Sequence, residues 1–297
     1  MHIHILGICG TFMGSLAQLA KAMGHEVSGC DSNVYPPMST QLENAGITLT
    51  EGYDPAQLHP APDLVVIGNA LSRGNPAVEY VLDNGIPYTS GPQWLGDYCL
   101  RDRWVLAVAG THGKTTTTSL IASVLGEAGL DPTFVIGGKL NSAGTNAQLG
   151  GSRYLVAEAD ESDASFLHLT PVISVVTNIE ADHMDTYGGD VGRLKQTFVD
   201  FLHNLPFYGV AVMCVDDGFV QEIIPRISRA IITYGIDNPD ADYRAENIES
   251  DGLRTRFVVR RPGGRSDLDV ELKMPGRHNV LNALAAIAVA TDEGVDD

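Results

Sequence analysis

The sequence contains little positive charge. Lys and Arg account for 19 of its 297 residues, against 37 Asp and Glu, and the formal net charge is −18. Proteins that bind nucleic acids gain much of their affinity by neutralising phosphates with Lys and Arg, so this imbalance argues against a nucleic-acid partner. A nucleotide ligand remains compatible with it, because a few well-placed amides and one lysine outweigh the global field at short range.

Cysteines and long apolar runs are also scarce. Cys9, Cys30, Cys99 and Cys214 are scattered without a C-x-x-C pair, which favours free thiols in a reducing compartment over disulfides or a zinc site. The longest nearly apolar run, residues 280–290, is much shorter than the roughly 20 residues that cross a bilayer. The first residues lack the basic and apolar segments of a secretory signal. We therefore expect a cytoplasmic protein without a membrane partner.

Strand and helix patterns alternate along most of the chain. A polar stretch at residues 98–104 separates two such alternating segments, and short strands with turns follow over residues 241–273. Alternation of this kind predicts a parallel sheet covered by helices. The predicted fold class is therefore α/β, with a Rossmann-like parallel-sheet domain over residues 1–103. A phosphate-loop α/β domain with a small antiparallel portion is predicted over residues 104–297.

The most specific local motif is G-T-H-G-K-T at residues 110–115, called the phosphate loop below. An apolar strand precedes it and a helix follows, so backbone N–H groups and the positive helix end would face a phosphate. Lys114 can reach the terminal phosphates, and the Thr115 hydroxyl is placed to bind Mg²⁺. Its first glycine stands two residues closer to the Gly-Lys pair than in the common loop. The alternative is a glycine-rich turn whose lysine lies in solvent.

Polar side chains follow two further apolar strands. The first group is Glu158, Asp160, Glu161 and Asp163, and the second is Asn178, Glu180, Asp182, His183 and Asp185. Ligands of open α/β sheets bind at the carboxyl ends of strands, so both groups should meet the phosphate loop. Alternate residues of a strand share a face, so we expect Glu158 and Asp160 to point together. Mg²⁺ takes few carboxylates together with phosphate oxygens and waters, whereas the alternative for each group is a solvated acidic turn.

The N-terminal turn carries Gly7, Gly10 and Gly14 between a strand and a helix. This spacing departs from the G-x-G-x-x-G dinucleotide pattern, but Asp31 closes the next strand where an acid would meet a ribose hydroxyl. We expect a nucleotide-type ligand here, with a ligand-free scaffold as the alternative. Two nucleotide-like turns in two α/β segments favour phosphoryl transfer from ATP to a substrate held by the first domain.

Together these motifs resemble the Mur ligases of peptidoglycan synthesis. A-G-T-H-G-K-T-T-T-T resembles their phosphate loop, E-A-D-E-S-D and T-N-I-E-A-D-H-M-D-T-Y resemble their metal-binding strand ends, and G-R-H-N-V-L-N-A-L-A-A resembles the segment that contacts the ATP base. The resemblance implies an ADP-forming ligase with ATP and two Mg²⁺ ions as cofactors. The carboxylate of UDP-N-acetylmuramate would attack the γ-phosphate, and an amine would then displace phosphate from the acyl phosphate to form an amide.

The resemblance also implies roles for individual residues. The catalytic residues would be Lys114, Glu158 and His183, and the metal ligands would be Thr115, Glu158 and His183. The implied ATP contacts are Gly110, Thr111, His112, Gly113, Lys114, Thr115, Thr116, His278, Asn279 and Asn282. The implied UDP-N-acetylmuramate contacts are Gly7, Ile8, Cys9, Gly10, Thr11, Phe12, Met13, Asp31, Asn69, Ala70, Ser72 and Asn75.

The two halves resemble different members of this family. Residues 1 to about 118 resemble the ligase that attaches L-alanyl-γ-D-glutamyl-meso-diaminopimelate to UDP-N-acetylmuramate. Residues from about 115 onward resemble UDP-N-acetylmuramate–L-alanine ligase. We expect a mosaic joined near the phosphate loop, with a natural homologue of intermediate sequence as the alternative. The acceptor, L-alanine or the tripeptide, stays open, as does the oligomeric state.

The resemblance further implies that the family's C-terminal acceptor domain is missing after residue 297. We therefore expect this chain to bind UDP-N-acetylmuramate but to ligate poorly by itself. The rival interpretations are a nucleotide-binding fragment without ligase activity, or another ligase of the superfamily such as folylpolyglutamate synthase. The N-terminal domain speaks against the latter, because that enzyme opens directly with its ATP domain.

Overall fold

The computed structural model describes residues 1–140, 145–161, 165–182 and 184–297. The strands are β1 His2–Leu6, β2 Glu26–Asp31, β3 Thr48–Glu51, β4 Leu64–Ile67, β5 Tyr88–Ser90, β6 Trp104–Ala109, β7 Thr133–Leu140, β8 Thr145–Gln148, β9 Tyr154–Glu158, β10 Ile173–Val176, β11 Val210–Cys214, β12 Ala230–Gly235, β13 Tyr243–Asp251, β14 Arg254–Arg260 and β15 Leu268–Leu272. The helices are α1 Thr11–Ala22, α2 Met38–Asn44, α3 Pro76–Asp83, α4 Gly91–Trp94, α5 Lys114–Glu127, α6 Val191–His203, α7 Gly218–Ile223 and α8 Arg277–Asp292.

The chain forms two compact units. The first consists of Met1–Arg101 together with Thr133–Gly151, and the second consists of Asp102–Pro132 together with Ser152–Asp297. The chain thus leaves the first unit close to the predicted boundary at 103/104, but it returns to contribute the β7–β8 hairpin. The division into two contiguous domains remains a prediction.

The first unit is built on a parallel sheet with the strand order β3-β2-β1-β4-β5. Its central strand β1 reads H-I-H-I-L, and four of its five residues are buried, namely Ile3, His4, Ile5 and Leu6, as expected for a strand covered on both faces. From β1 the chain adds β2 and β3 on one side, and then crosses to the other side of β1 to add β4 and β5. The strand order therefore reverses at β1, between β2 and β4. This is the kind of position where open α/β sheets bind ligands.

The β7–β8 hairpin packs on α1 within the first unit. The Ser15 hydroxyl donates to the carbonyl of Ile136 at 3.3 Å, and Gln18 Nε2 donates to Asn146 Oδ1 at 2.9 Å. Thr145 Oγ1 in turn donates to Gln18 Oε1 at 3.1 Å. The hairpin is therefore fixed by side-chain hydrogen bonds to the helix that follows the N-terminal turn.

The second unit carries strands in the order β15-β14-β13-β12-β11-β10-β6-β9. Pairing is parallel from β9 to β13 and antiparallel from β13 to β15. This confirms the predicted α/β class with a small antiparallel portion. The helix α8 is buried along most of its length, including Val280, Leu284 and Val289, which explains its continuous apolar sequence.

Two expectations drawn from scarce residues concern the whole chain. All four cysteines lie in the described ranges, and each has a free thiol. Among the described residues, no helix combines the length and the apolar composition that a membrane crossing requires.

Candidate nucleotide site

The phosphate loop lies between β6 and α5, where the sequence pattern predicts it. Gly110 and Gly113 have φ values of 136° and 83°, a region that side chains other than glycine rarely adopt. A Cβ at Gly110 would lie 2.1 Å from Thr177 Oγ1, and one at Gly113 would lie 2.6 Å from Asn282 Oδ1. Both glycines are therefore required by conformation and by close approach.

The residues after β10 hold the phosphate loop in place. The N–H of His112 donates to Asn178 Oδ1 at 2.8 Å, and Asn178 Nδ2 donates back to the His112 carbonyl at 2.9 Å. The Thr177 hydroxyl donates to the same carbonyl at 2.7 Å. Asn178, grouped by sequence with the acids after this strand, thus acts on the loop backbone.

Lys114 begins α5 and is paired with Glu161. Its Nζ lies 2.8 Å from Glu161 Oε2 and 3.1 Å from Oε1, and the two side chains are only 15% and 5% exposed. Lys114 Nζ also donates to the Gly110 carbonyl at 2.7 Å. Burial raises the pKa of Glu161, although the hydrogen bond from Lys114 acts in the opposite direction. The sequence pattern places Glu161 among the acids that follow β9, but it does not indicate its pairing with Lys114.

Thr115 and Glu158 converge beside this pair. The Thr115 hydroxyl lies 3.1 Å from each carboxylate oxygen of Glu158. Hydroxyl and carboxylate oxygens are donors that Mg²⁺ prefers, so these two residues fit the predicted ion. The strand β9 ends at Glu158, and the N–H of Ala159 still donates to the Val108 carbonyl of β6 at 2.9 Å, so a shared face for Glu158 and Asp160 remains a prediction. His183 and Asp163 lie outside the described residues.

Three exposed side chains cluster at the tip of the phosphate loop. His112 Nε2 lies 3.6 Å from Glu180 Oε2 and 3.4 Å from Asp182 Oδ2. All three side chains are more than half exposed, and ion pairs in that environment contribute little to stability. We assign no ion to this cluster.

The first residues of α8 lie next to the phosphate loop. Asn282 is buried and accepts a hydrogen bond from the Thr117 hydroxyl of α5 at 3.1 Å. Its Nδ2 donates to Asn279 Oδ1 at 3.3 Å, whereas His278 is exposed. Of the predicted adenine contacts, Asn282 therefore has a visible second role, which is to join α8 to α5 beneath Gly113.

In the first unit, Asp31 holds the N-terminal turn. The N–H of Cys9 donates to Asp31 Oδ2 at 3.0 Å, and the N–H groups of Gly7 and Ile8 donate to the Cys30 carbonyl. Burial, together with the charge of Asp31, raises the pKa of the Cys9 thiol to about 11. The thiol is therefore a neutral part of the turn.

The remaining predicted contacts of the first unit follow β4. Asn69, Ala70 and Ser72 lie just beyond the end of that strand, at the same edge of the sheet as the N-terminal turn and Asp31. Asn75 caps α3 by accepting hydrogen bonds from the next two amide groups. A helix cap accounts for an asparagine at this position without a ligand.

Comparison with known families places the chain in a class of ATP-dependent ligases. Residues 2–103 match the Mur ligase family catalytic domain, and residues 108–290 match the Mur ligase middle domain. The chain belongs to the Mur ligase family, which confirms the family predicted from the motifs.

Several solved structures are similar over the whole chain. UDP-N-acetylmuramate:L-alanyl-γ-D-glutamyl-meso-diaminopimelate ligase from Neisseria meningitides is 41% identical, with a TM-score of 0.90 and coverage of 99% of this chain and 94% of that chain. A murein peptide ligase from Psychrobacter arcticus is 42% identical, with a TM-score of 0.88 and coverage of 99% and 66%. UDP-N-acetylmuramate–alanine ligase from Thermotoga maritima is 29% identical, with a TM-score of 0.89 and coverage of 100% and 66%.

These values describe whole chains. They show a peptidoglycan-related ligase fold, and the chain spans just under two thirds of the latter two proteins, at 66% of each. Each identity is an average over both halves of the chain, so it does not show which relative each half resembles more. The mosaic therefore remains a prediction.

Proposed function

We propose that the chain is an ATP-dependent ligase that forms an amide on UDP-N-acetylmuramate. The observation that supports this most directly is the convergence at the start of α5. Lys114 and Thr115 follow a glycine loop, and Thr115 lies 3.1 Å from both oxygens of Glu158 at the end of a neighbouring strand. A cation-binding hydroxyl, a carboxylate and an ammonium beside one loop suit the handling of a polyphosphate.

In the proposed reaction the chain's own residues position the two reactants. The amides of the phosphate loop and Lys114 hold the β- and γ-phosphates, while Thr115 and Glu158 would hold Mg²⁺ and His183 would hold a second ion. When bound, the metal supplies positive charge that offsets repulsion between the substrate carboxylate and the polyphosphate. A carboxylate oxygen bonds to the γ-phosphorus and ADP leaves. The neutral acceptor amine then bonds to the acyl carbon, phosphate leaves with the carboxylate oxygen, and the nitrogen releases one proton to solvent.

For the nucleotide substrate we propose the N-terminal turn and the segment after β4. These lie at the carboxyl ends of β1, β2 and β4, where the strand order reverses. All three relatives above are ligases, and two of their names include UDP-N-acetylmuramate. For the acceptor we favour the tripeptide, because identity is higher to the tripeptide ligase than to the alanine ligase, at 41% against 29%.

Calorimetry with separate ligands tests the substrate. We expect the chain to bind UDP-N-acetylmuramate and, with Mg²⁺ present, a non-hydrolysable ATP analogue. UDP-N-acetylglucosamine is the matched control ligand, because it lacks the lactyl carboxylate. Failure to bind UDP-N-acetylmuramate would exclude this substrate, whatever the result with the ATP analogue.

A phosphate-release assay tests the reaction and the acceptor. With ATP, Mg²⁺ and UDP-N-acetylmuramate, release should depend on the added acceptor and should be faster with the tripeptide than with L-alanine. Lys114→Met should abolish it. The assay also measures whether this chain ligates by itself, since the expected poor activity remains a prediction.

A further inference from the structure

The ammonium of Lys114 has more acceptors around it than it has N–H groups. An ammonium offers three donors. Four acceptor atoms surround it: the Gly110 carbonyl at 2.7 Å, Glu161 Oε2 at 2.8 Å, Glu161 Oε1 at 3.1 Å and the Thr111 carbonyl at 3.4 Å. Two donors are thus committed to the short hydrogen bonds with Gly110 and Glu161 Oε2, and the third is shared between the two longer contacts.

Glu161 is itself firmly held. Its carboxylate is 5% exposed, and its backbone carbonyl accepts a hydrogen bond from the hydroxyl of Tyr187, a buried side chain. Removing Lys114 from this carboxylate would leave a buried negative charge without its partner, which is among the most costly changes in a protein interior. Replacing a long carbonyl contact by a phosphate oxygen merely exchanges one acceptor for another.

We propose that Glu161 is the positioning residue of the phosphate-loop lysine. When a nucleotide binds, Lys114 keeps its short bonds to Glu161 Oε2 and the Gly110 carbonyl, and its third N–H turns from the longer contacts with Glu161 Oε1 and the Thr111 carbonyl to a terminal phosphate oxygen. Glu161 thereby fixes the position of the Lys114 ammonium and the direction of the N–H group that the phosphate meets. This inference rests on the proposed function, because it requires a nucleotide at the phosphate loop.

The competing geometry makes the opposite prediction. If Glu161 merely blocked Lys114, the nucleotide would have to displace it, and neutralising Glu161 would strengthen nucleotide binding. If Glu161 positions Lys114, neutralising it weakens binding, because the lysine loses its charged anchor. The sign of the change therefore separates positioning from blocking.

The test compares Glu161→Gln with the unmodified chain by calorimetry with Mg²⁺ and a non-hydrolysable ATP analogue, ADP and AMP. We expect Kd to rise about tenfold for the ATP analogue, less for ADP, and not at all for AMP, which lacks the terminal phosphates. In a Lys114→Met background the same substitution should have no effect on Kd. Glu161→Asp, which keeps the charge on a shorter side chain, should give an intermediate loss and serves if Glu161→Gln does not fold.

Glu222→Gln is the matched control. Glu222 pairs with Lys195 at 2.5 Å in the same unit and is 59% exposed, so the substitution removes the same charge from an exposed Lys–Glu pair. Its Kd values should equal those of the unmodified chain. Tighter or unchanged binding of the ATP analogue to Glu161→Gln would overturn the positioning role, as would an equal loss for AMP. If the unmodified chain bound no ATP analogue, the proposed function would fail and this inference with it.

Discussion

Gly113 shows how one residue is constrained by both backbone and packing. It has a φ of 83°, and a Cβ added to it would lie 2.6 Å from Asn282 Oδ1. Gly129, at the other end of α5, has a similar φ of 76°, but a Cβ added to it would have no neighbouring atom within 4 Å among the described residues. The two glycines therefore separate the cost of a left-handed backbone from the cost of a steric clash.

We expect Gly129→Ala to lower the free energy of unfolding by about 1–2 kcal/mol, the usual penalty for a left-handed alanine. Gly113→Ala should lower it by about 3 kcal/mol, because overpacking adds to that penalty. Urea denaturation measures both values. Equal losses in the two variants would contradict the clash with Asn282.

His4 gives a pH-dependent prediction at the same scale. It is 2% exposed, its Nδ1 lies 2.9 Å from Ser28 Oγ, and its Nε2 has no hydrogen-bond partner within the described ranges. Burial, with a smaller contribution from His2, lowers its pKa from 6.5 to about 4. The folded chain therefore keeps this imidazole neutral where an unfolded chain protonates it.

Stability should consequently fall as the pH drops from 6.5 to about 4. A pKa lower by about 2.5, at about 1.4 kcal/mol for each tenfold in proton affinity, corresponds to a full loss of about 3.5 kcal/mol. About 3 kcal/mol of it is lost by pH 4, where half of the folded molecules are protonated at His4. His4→Gln should remove this part of the pH dependence, as measured by urea denaturation at pH 7 and pH 4. His59→Gln, at an exposed position, should leave it intact. The idea fails if the two variants show the same pH dependence.

At the scale of elements, the end of α8 is tied to two strands of the second unit. Glu293 follows α8 and accepts hydrogen bonds from Trp104 Nε1 of β6 at 2.6 Å and from the Tyr154 hydroxyl of β9 at 2.7 Å. These bonds fix the helix that also carries Asn282. The position of α8 thus depends on the contact of Asn282 with Thr117 near its start and on those of Glu293 at its end.

Glu293→Ala should lower the free energy of unfolding of the second unit by about 2 kcal/mol, because two donors lose a charged acceptor. Glu293→Gln should cost about half as much, since its amide oxygen still accepts one of the two bonds. Thermal and urea unfolding give both values. A Glu293→Gln loss as large as that of Glu293→Ala would show that charge, and not hydrogen bonding, joins these elements.

The elements also show what the sequence could predict. The strand β6 is a continuous apolar run before a glycine turn, so its position and that of the phosphate loop between β6 and α5 follow from pattern alone. The hairpin β7–β8 does not, because β8 reads T-N-A-Q and its burial depends on α1. The roles of Asn178 and Glu161 were missed for the same reason, since their partners lie 66 and 47 residues away in sequence.

At the scale of the whole molecule, the chain returns to the first unit after entering the second, whereas the division into two contiguous domains remains a prediction. The segment Thr133–Gly151 belongs to the first unit, although it lies between α5 and β9 of the second. The sequence predicts a boundary at 103/104, before β6, because the polar stretch at residues 98–104 separates two alternating segments there. Composition does not indicate that the later segment Thr133–Gly151 packs with the first unit.

Fragments of the chain test which description holds. A contiguous domain predicts that residues 1–103 reach full stability alone, whereas the observed unit predicts that they also need the β7–β8 hairpin. We expect a fragment of residues 1–101 joined to 133–151 by a short Gly/Ser linker to be more stable in urea than residues 1–103 alone, because the hairpin covers α1. Gln18→Ala should destabilise the joined fragment by about 1 kcal/mol through loss of its bonds to Thr145 and Asn146. It should have little effect on residues 1–103, where those partners are absent, and equal effects in both fragments would favour the contiguous domain.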